Sequence, residues 1–228
     1  MGNDLTIRKR FKTNKVKTAK NRKISSTRWL ERQLNDPFVL EAKNRGYRSR
    51  AAFKIIEIDN KFKIFRKGHR ILDLGSAPGG WSQIAGERSG SNNILAIDIS
   101  EMEPLAGVKF VQQDFLAPDA EKIILESSDN KKYNIVMSDM AANTTGDKKT
   151  DHLRTLALAE GAFNFAIKVL VDNGTFVCKI FQGGTEKDLM EKLKKCFDSV
   201  KHFKPNSSRK DSVEMYVVAS GFHQKYFF

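Results

Sequence analysis

The residue that points most directly to chemistry in this chain is Lys179, which lies inside an apolar run made of Val177, Cys178, Ile180 and Phe181. Such a run is typical of a buried strand. A buried lysine is costly unless charged partners surround it or it loses its proton. Because a neutral amine can accept a proton from a reacting group, this residue type in this place suits a general base.

Acidic residues follow three further apolar runs. They are Asp98, Asp114 and Asp139, after runs that begin at Ile94, Val108 and Tyr133. In nucleotide-binding sheets, an acid after the second strand accepts hydrogen bonds from ribose hydroxyls. We expect the acid after the third to meet an adenine amino group. Each aspartate alone is equally compatible with a helix cap.

A glycine-rich segment precedes these acids and reads Ile71-Leu-Asp-Leu-Gly-Ser-Ala-Pro-Gly-Gly-Trp-Ser82. The pattern predicts a strand, a tight turn and a helix, with Gly79 and Trp81 where the helix begins. Glycines let a ligand lie against the backbone, and a helix start offers amides to it. The spacing is neither the dinucleotide fingerprint nor a phosphate loop. An ordinary strand-turn-helix corner is an alternative for this segment alone; together with Asp98 and Asp114 it predicts a nucleoside site.

Two further charged residues border apolar patterns. We predict a helix capped by Ser49 and running to about Phe62, in which Lys54 lies at the edge of the buried stripe. By itself, such a lysine is usually an exposed residue with a buried stem. Glu214 stands at the start of the last apolar run, where a carboxylate needs a partner.

The elements that must position these residues alternate from Arg70 onward. Strands are predicted at 70–74, 93–98, 108–112, 133–138, 173–181 and 214–220, with a weaker one near 199–203, and helices at 80–88, 118–127, 150–171 and 185–197. This alternation predicts an α/β fold with an open, mostly parallel, doubly wound sheet.

A helical extension is predicted ahead of the sheet. Residues 27–46 read as two amphipathic helices that are split near Pro37, and Gly46 ends the second. Apolar side chains on these helices face inward, namely Trp29, Leu34, Phe38 and Leu40.

The first 24 residues carry nine Lys and Arg against Asp4, a net charge of +8 out of +13 for the whole chain. They hold too few apolar residues to fold, so we expect a disordered tail. Such charge favours phosphate contacts without sequence readout, or simply a solubilising tail. The overall basicity favours a polyanionic partner.

The remaining composition limits the compartment and the architecture. The 228 residues suit one domain with appendages. Cys178 and Cys196 form neither a disulfide framework nor a metal site, which favours a reducing cytoplasm. No apolar stretch is long enough for a membrane span, and the basic start lacks the features of a signal peptide. We therefore expect a cytoplasmic monomer without a membrane partner.

The motifs together resemble the FtsJ/RrmJ family of RNA ribose 2′-O-methyltransferases. The glycine-rich segment is similar to that family's S-adenosylmethionine loop. Four further motifs contain the family's Lys-Asp-Lys-Glu tetrad in order. They are Tyr47-Arg-Ser-Arg-Ala-Ala-Phe-Lys54, Ser138-Asp-Met-Ala-Ala-Asn143, Lys179-Ile-Phe-Gln-Gly183 and Ser212-Val-Glu-Met-Tyr216. The resemblance covers about residues 30–222.

The resemblance implies a class I S-adenosylmethionine-dependent methyltransferase fold, which is Rossmann-like with seven strands and helices on both faces. The domain then spans 25–228, with a helical extension at 27–62 and the core at 68–222. The motif around Asp139 is more similar to the branch that methylates a 23S ribosomal RNA uridine in the large subunit. A tRNA or cap methyltransferase, or a non-catalytic RNA-binding assembly protein, is the alternative.

The resemblance also implies roles for individual residues. The cofactor is expected at Gly79, Trp81, Asp98, Asp114 and Asp139, and no metal is needed for in-line methyl transfer. Lys179 is the expected base, favoured in its neutral form by burial, by Lys54 and by the sulfonium charge of the cofactor. Asp139 opposes that shift and orients either Lys179 or the methyl donor. Lys54 steers the hydroxyl or a phosphate, and Glu214 holds one of the lysines.

Two departures from the family pattern concern loops near this site. Ala142 replaces a proline, which is expected to loosen its loop, and Gly183-Gly184-Thr185 is expected to alter the wall of the substrate groove.

Overall fold

The structure is a computed structural model that describes residues 15, 24–90, 92–142, 145–183 and 186–223. Within the first helix, the side chains of residues 24, 25, 28 and 29 are outside the description. The predicted disorder of residues 1–24 and the inward orientation of Trp29 therefore stay predictions. Within the described residues, each helix is too short or too polar to cross a membrane.

Three helices precede the sheet: α1 (Ile24–Leu34), α2 (Pro37–Asn44) and α3 (Ala52–Phe62). The predicted split near Pro37 is confirmed, because Pro37 opens α2 and the Asp36 carboxylate accepts the Phe38 amide at 3.0 Å. The predicted end at Gly46 is also confirmed. Gly46 has φ +71°, and the next amide, of Tyr47, donates back to the Ala42 carbonyl at 2.8 Å, which closes the helix end.

The start of α3 differs from the prediction. The helix begins at Ala52 and not at the residues after Ser49, and the Ser49 hydroxyl caps nothing. The Ala52 amide instead donates to the Ser49 carbonyl at 3.2 Å. A backbone turn, and not a side-chain cap, therefore satisfies this amide at the start of the helix. The Ser49 side chain packs against Gly80, where an added Cβ would lie 2.3 Å from its hydroxyl oxygen.

Seven strands form one sheet in the order β3-β2-β1-β4-β5-β7-β6. They are β1 (Ile71–Leu74), β2 (Ile94–Asp98), β3 (Val108–Gln112), β4 (Tyr133–Ser138), β5 (Leu170–Phe181), β6 (Phe197–Phe203) and β7 (Glu214–Phe222). β7 runs antiparallel to β5 and β6, and the other pairings are parallel. The predicted mostly parallel α/β sheet is thereby confirmed, and the weakly predicted strand near 199–203 is a full edge strand.

Four helices pack on the sheet: α4 (Gly80–Ser89), α5 (Ala120–Ser127), α6 (Lys148–Val169) and α7 (Lys187–Cys196). The predicted boundary between helix 150–171 and strand 173–181 was wrong by several residues. β5 begins at Leu170 because that residue already pairs with Tyr133, ahead of an irregularity in the β4–β5 register. Asn173, with φ +62°, lies in this irregular part.

The core fills both faces of the sheet, as predicted. On one face, α5, α6 and α7 pack over residues such as Leu72 and Cys178. On the other face, α3 and α4 pack over Ile71, Val177 and Tyr216. Alternation along a strand assigns residues two apart to the same face, so Lys179 shares the α3 face with Val177. β1 lies between β2 and β4, and the carboxyl edge beside this reversal of strand order is the usual ligand position in such sheets.

Candidate active site

The glycine-rich turn follows β1 at the carboxyl edge of the sheet. The amides of Gly75 and Ser76 both donate to the Ile97 carbonyl, at 2.8 and 3.0 Å, so the turn is tied to β2. Gly79 has φ +102° and is the N-cap of α4. An added Cβ at Gly75 would lie 2.1 Å from Met140 Cγ, so the loop after β4 approaches this backbone closely. The first-turn amides of α4 lack intrahelical acceptors and suit a polar ligand.

An arginine that the sequence reasoning left without a role braces this turn. Arg48 donates from its guanidinium to the carbonyls of Pro78, Glu103 and Pro104, at 3.3, 2.6 and 2.5 Å. It thus joins the turn after β1 to the loop after β2. The backbone amide of Arg48 also donates to the Gln83 side chain on α4 at 3.0 Å. The segment just before α3 therefore supports both walls of the candidate cofactor site.

The two acids predicted for the nucleoside site lie at the carboxyl ends of β2 and β3: Asp98 is the last residue of β2, and Asp114 lies just beyond β3. The Asp98 carboxylate accepts the amides of Ala77 and Ser100, at 2.9 and 2.8 Å, so it also holds the glycine-rich turn. Asp114 is exposed two residues beyond β3, and one of its oxygens accepts the Leu116 amide at 3.0 Å. A carboxylate oxygen has further acceptor capacity beyond one such bond. Both residues can therefore still accept hydrogen bonds from a ligand.

The structure gives the Trp81 side chain a supporting position. The residue is buried, and its indole N–H donates to the Ala51 carbonyl at 3.0 Å. The indole ring lies 5.6 Å from the Tyr216 ring. Because the indole donor is already used, a predicted contact with the cofactor would come from the Trp81 backbone amide in the first turn of α4.

Beneath the turn lies an acid that the sequence reasoning did not single out. Asp73 on β1 is buried, and the Ser82 hydroxyl donates to its carboxylate at 2.6 Å. The pKa of Asp73 is raised to about 7, mainly by burial; the Ser82 hydrogen bond works against this rise, and the nearby charges of Asp139 and Asp98 add to it. No cation pairs with this carboxylate among the described residues, so it titrates near neutral pH.

The four residues of the predicted tetrad meet at the carboxyl edge next to this turn. Lys179 Nζ on β5 lies 3.0 Å from the Asp139 carboxylate and donates to the Asp139 carbonyl at 2.5 Å. Lys54 Nζ on α3 lies 2.9 Å from both Glu214 oxygens and 3.6 Å from the Asp139 carboxylate. The side chains of all four are at most 17% exposed. Lys54 is therefore a buried, doubly paired residue and not the exposed lysine that its helix position alone predicts.

Tyr216 completes the cluster from the strand next to Lys179. The two residues are direct partners in the β5–β7 register, and the Tyr216 hydroxyl donates to the Asp139 carboxylate at 2.6 Å. Burial raises the pKa of Tyr216 well above its usual value, and the Asp139 and Glu214 charges add to this. Burial also works to raise the pKa of Asp139, but Lys179, Lys54 and the Tyr216 hydrogen bond together hold it below its usual value. Asp139 is therefore ionised at neutral pH.

A loop between β6 and β7 supports Glu214 from outside the cluster. The Ser208 hydroxyl donates to Glu214 Oε1 at 2.7 Å. The loop is fixed to α3, because the Glu57 carboxylate accepts the amides of Asn206 and Ser207, at 2.6 and 2.9 Å. Lys54 and Glu57 are three positions apart on one face of α3, so one helix holds both Glu214 and the loop behind it.

Several contributors could not be assigned from the sequence, although signals existed for some. Tyr216 lies two residues after Glu214 on a strand, which places both side chains on one face. Arg48 and Ser208 carry no such signal, because their partners lie in other loops. Of the two departures from the family pattern, Ala142 is half-buried, and Gly183 is crowded by His152. Asn143, Gly184 and Thr185 lie outside the described residues.

The arrangement joins two chemical capabilities at one edge of the sheet. One half offers backbone amides and carboxylates to a nucleoside-like ligand. The other half holds two lysine amines next to two carboxylates, out of bulk water, where an amine can take up or donate a proton at a fixed place. Such a site suits transfer of a group from a bound nucleoside to a second substrate.

Comparisons with known proteins agree with this geometry. Residues 47–222 match the family model described as FtsJ-like methyltransferase. A relative from Rickettsia conorii named "Ribosomal RNA large subunit methyltransferase E" is 53% identical over 216 residues, covering 92% of this chain and 95% of the relative. A relative of the same name from Rickettsia akari has the same identity and coverage.

A solved structure is similar as well. The crystal structure of a protein described as a ribosomal RNA methyltransferase from Plasmodium falciparum has a TM-score of 0.70 and 34% sequence identity to this chain. The match covers 77% of this chain and 98% of the other. The motifs, the sheet order, the matched family model and these relatives agree, and the chain belongs to the FtsJ-like methyltransferase family.

Proposed function

We propose that this protein uses S-adenosylmethionine to methylate the 2′-hydroxyl of a ribose in large-subunit ribosomal RNA, at a uridine of 23S rRNA. The main observation behind the proposal is that Lys54, Asp139, Lys179 and Glu214 form one cluster of ion pairs beside the glycine-rich turn. The ribosomal RNA substrate is supported by the names of the relatives. The ribose hydroxyl is supported by the resemblance of the four motifs to the 2′-O-methyltransferases.

The residues at the cofactor half fit S-adenosylmethionine. The amides opening α4 suit its carboxylate, and the oxygens of Asp98 and Asp114 suit ribose hydroxyls and an adenine amine. Ile99 and Leu116, next to these acids in the chain, are 69% and 55% exposed, which is unusual for large apolar residues and suits the faces of an adenine ring. We therefore assign cofactor binding to Gly79, Trp81, Asp98 and Asp114, with Asp139 towards the reactive end.

The chain's own residues then act on the ribose hydroxyl. S-adenosylmethionine, when bound, supplies a methyl group that is transferred in line to an oxygen. Lys179 in its neutral form accepts the hydroxyl proton, and Asp139 fixes the position of its amine. Lys54, held by Glu214, places a second amine in the same cluster and orients the hydroxyl or a neighbouring phosphate.

The test is methyl transfer from labelled S-adenosylmethionine to three purified substrates: large ribosomal subunits, naked ribosomal RNA and tRNA. We expect label on a ribose oxygen of 23S rRNA, faster in the assembled subunit. Equal or faster methylation of naked rRNA would contradict the particle as substrate. Label on tRNA alone would favour a tRNA methyltransferase, and cofactor binding without any transfer would favour a non-catalytic assembly protein.

We further propose that the protein works as a cytoplasmic monomer and that residues 1–24 contact RNA phosphates. Their net charge of +8 supports this role. Deleting them should flatten the slope of log affinity against log salt concentration for rRNA, because fewer counterions are released. Methyl transfer at saturating RNA should persist. An unchanged slope would show that the tail is not an RNA contact.

A further inference from the structure

A polar cavity lies at the amino ends of the parallel strands, at the opposite end of the sheet from the charged cluster. Its volume is about 400 Å³. Three hydroxyl residues on adjacent strands line it, namely Thr175 on β5, Ser220 on β7 and Ser199 on β6. Thr175 pairs with Ser220, and Ser220 with Ser199, so the three side chains lie in register on one face of the sheet. They form a row of hydrogen-bonding groups along the cavity floor.

Three cationic side chains also line the cavity, among apolar residues and asparagines. Lys63 and Arg66 come from the segment between α3 and β1, and Lys201 comes from β6. Among the described residues, these three side chains have no ion-pair partner, and Asp172 is the acidic residue in the lining. His69 also lines the cavity, and its buried Nδ1 has no hydrogen-bond partner in the described structure. Burial lowers the pKa of His69, and the Arg66 charge lowers it further, against a backbone hydrogen bond at Ile64.

Hydroxyl donors beneath unpaired lysine and arginine side chains are the groups that bind oxyanions, and phosphate above all. A metal cation is disfavoured by the net positive lining, and an apolar ligand by the hydroxyl floor. The cavity also differs from an ordinary lysine-rich surface, because its cations surround a concave site whose floor supplies short-range donors.

The cavity lies on the face of the sheet that carries the active site. Thr175 and Lys179 are four residues apart on β5, about 13 Å along the strand, and their side chains share a face. Lys54 and Lys63 are nine residues apart at the two ends of α3, about 14 Å along the helix. One substrate molecule longer than a nucleotide can therefore reach both places.

We propose that this cavity is a phosphate-binding site that takes a backbone phosphate of the RNA substrate, remote from the nucleotide that reacts. The binding of a phosphate group stands on the cavity alone, whereas RNA as its source rests on the proposed function. A bound phosphate here would anchor the substrate along α3 without touching the reacting atoms.

The first arm of the test uses inorganic phosphate and the whole chain labelled with ¹⁵N. We expect phosphate to shift the amide signals of Lys63, Ser199 and Ser220, without S-adenosylmethionine and without any methyl transfer. The double variant Lys63→Glu/Lys201→Glu should weaken phosphate binding at least ~10-fold. Ser220→Ala, which keeps all charges, should weaken it by a smaller factor. The matched control is Lys194→Glu on α7, an exposed lysine on the helix layer across the sheet, which should leave phosphate binding unchanged.

The second arm identifies the source of the phosphate. Large-subunit rRNA should displace inorganic phosphate from the cavity, and the double variant should show a raised KM for large subunits with kcat unchanged. Phosphate binding that rRNA does not displace would contradict RNA as the source. No phosphate-induced shifts at the cavity, or equal weakening in Lys194→Glu, would overturn the site itself. Intact phosphate binding in a protein that methylates no RNA would instead contradict the proposed function alone.

Discussion

Two aspartates on neighbouring strands of the same sheet have opposite acid-base behaviour. Asp73 on β1 is 1% exposed, and the Asp139 side chain after β4 is 17% exposed. Burial raises the pKa of Asp73 to about 7, whereas the pKa of Asp139 is held below its usual value. The difference comes from their partners. Asp139 faces two lysines and a tyrosine hydroxyl, and Asp73 has one serine hydroxyl.

The comparison separates two ways of placing a carboxyl group under a ligand site. Lys179, Lys54 and the Tyr216 hydroxyl hold Asp139 as a carboxylate at the place where we propose that a proton moves. Asp73 carries a proton over part of the physiological range and supports the glycine-rich turn through Ser82. Asp139 contributes stability above the unfolded aspartate pKa of about 4, and this is lost as the pH falls through its lower folded value. Asp73 has the opposite effect on stability: because its folded pKa is raised, it destabilises the folded protein as the pH rises above about 4.

The largest change should come from removing the lysine that most lowers the Asp139 pKa. Lys179→Met keeps length and burial, removes the proposed base, and should reduce methyl transfer at least ~10²-fold with cofactor affinity nearly unchanged. The Asp139 pKa should rise towards the behaviour of Asp73. Single-turnover rates and ¹³C signals of the aspartate carboxyls measure the two effects.

Lys179→Arg is the matched control, because it keeps the positive charge beside Asp139. A guanidinium cannot give up its proton at neutral pH, so the rate should fall as far as in Lys179→Met while the Asp139 pKa stays low. Near-normal turnover in Lys179→Met would contradict the base assignment and leave Lys54 or positioning alone as the explanation.

The second prediction concerns the protein's stability. Because the folded pKa of Asp73 lies above the unfolded value, Asp73 makes the free energy of unfolding decrease as the pH rises from about 4 to about 7. Asp73→Asn can still accept the Ser82 hydrogen bond and carries no charge. The variant should therefore be more stable than the wild type at pH 8, by roughly 2–4 kcal/mol, and similar to it near pH 4.

Urea unfolding from pH 4.5 to pH 8 tests this, with the exposed residue change Asp211→Asn as the control for loss of one negative charge. A stability difference between Asp73→Asn and the wild type that does not grow with pH would mean that Asp73 is ionised throughout and has a partner like those of Asp139.

The third prediction concerns Asp98, which serves both as a proposed acceptor for the cofactor and as a support for the glycine-rich turn. Asp98→Ala removes an acceptor proposed for ribose hydroxyls and releases the Ala77 amide, and it should weaken S-adenosylmethionine binding by roughly 1–3 kcal/mol. It also removes a negative charge that raises the Asp73 pKa, so that pKa should fall. Calorimetric titration measures the affinity, and Asp98→Asn, which keeps an acceptor for Ala77, should lose less. Unchanged affinity in both Asp98→Ala and Asp114→Ala would refute the placement of the cofactor.

The sequence predicted the parts of this site that depend on strand ends. Asp98 ends one apolar strand and Asp139 follows another, and parallel strands bring such residues to one edge whatever the details of packing. Lys179 was identified because a cation inside an apolar run is costly. The fold class followed from the same alternation of strands and helices.

The partners of these residues could not be predicted from the residues alone. Lys54 meets Glu214 across 160 positions of the chain, and a helix-surface pattern describes only which face is apolar. Ser49 matches the N-cap pattern, yet backbone turns before α3 already satisfy the amides that a cap would serve. Trp81 shows the same limit, since its indole N–H donates to a carbonyl 30 residues earlier in the chain.

The smallest predicted effect concerns a serine that supports the cluster as Ser82 supports Asp73. Ser208→Ala removes the hydrogen bond to Glu214 Oε1, while Lys54 continues to pair with Glu214. A neutral-to-charged hydrogen bond of this kind contributes roughly 1–2 kcal/mol, so kcat should fall about 5- to 30-fold with the KM for S-adenosylmethionine unchanged. Ser207→Ala is the matched control, because that hydroxyl lies in the same loop without a partner in the described structure.

A role through Glu214 and Lys54 can be separated from a general effect on the loop. Ser208→Thr keeps a hydroxyl and should restore most of the rate. In Lys54→Ala, the further change Ser208→Ala should cost little, because Glu214 then has no lysine to hold. Equal rate losses from Ser208→Ala with and without Lys54 would show that the serine acts on the loop and not on the charged cluster. The low pKa of Asp139 would then depend on Lys54, Lys179 and Tyr216 alone.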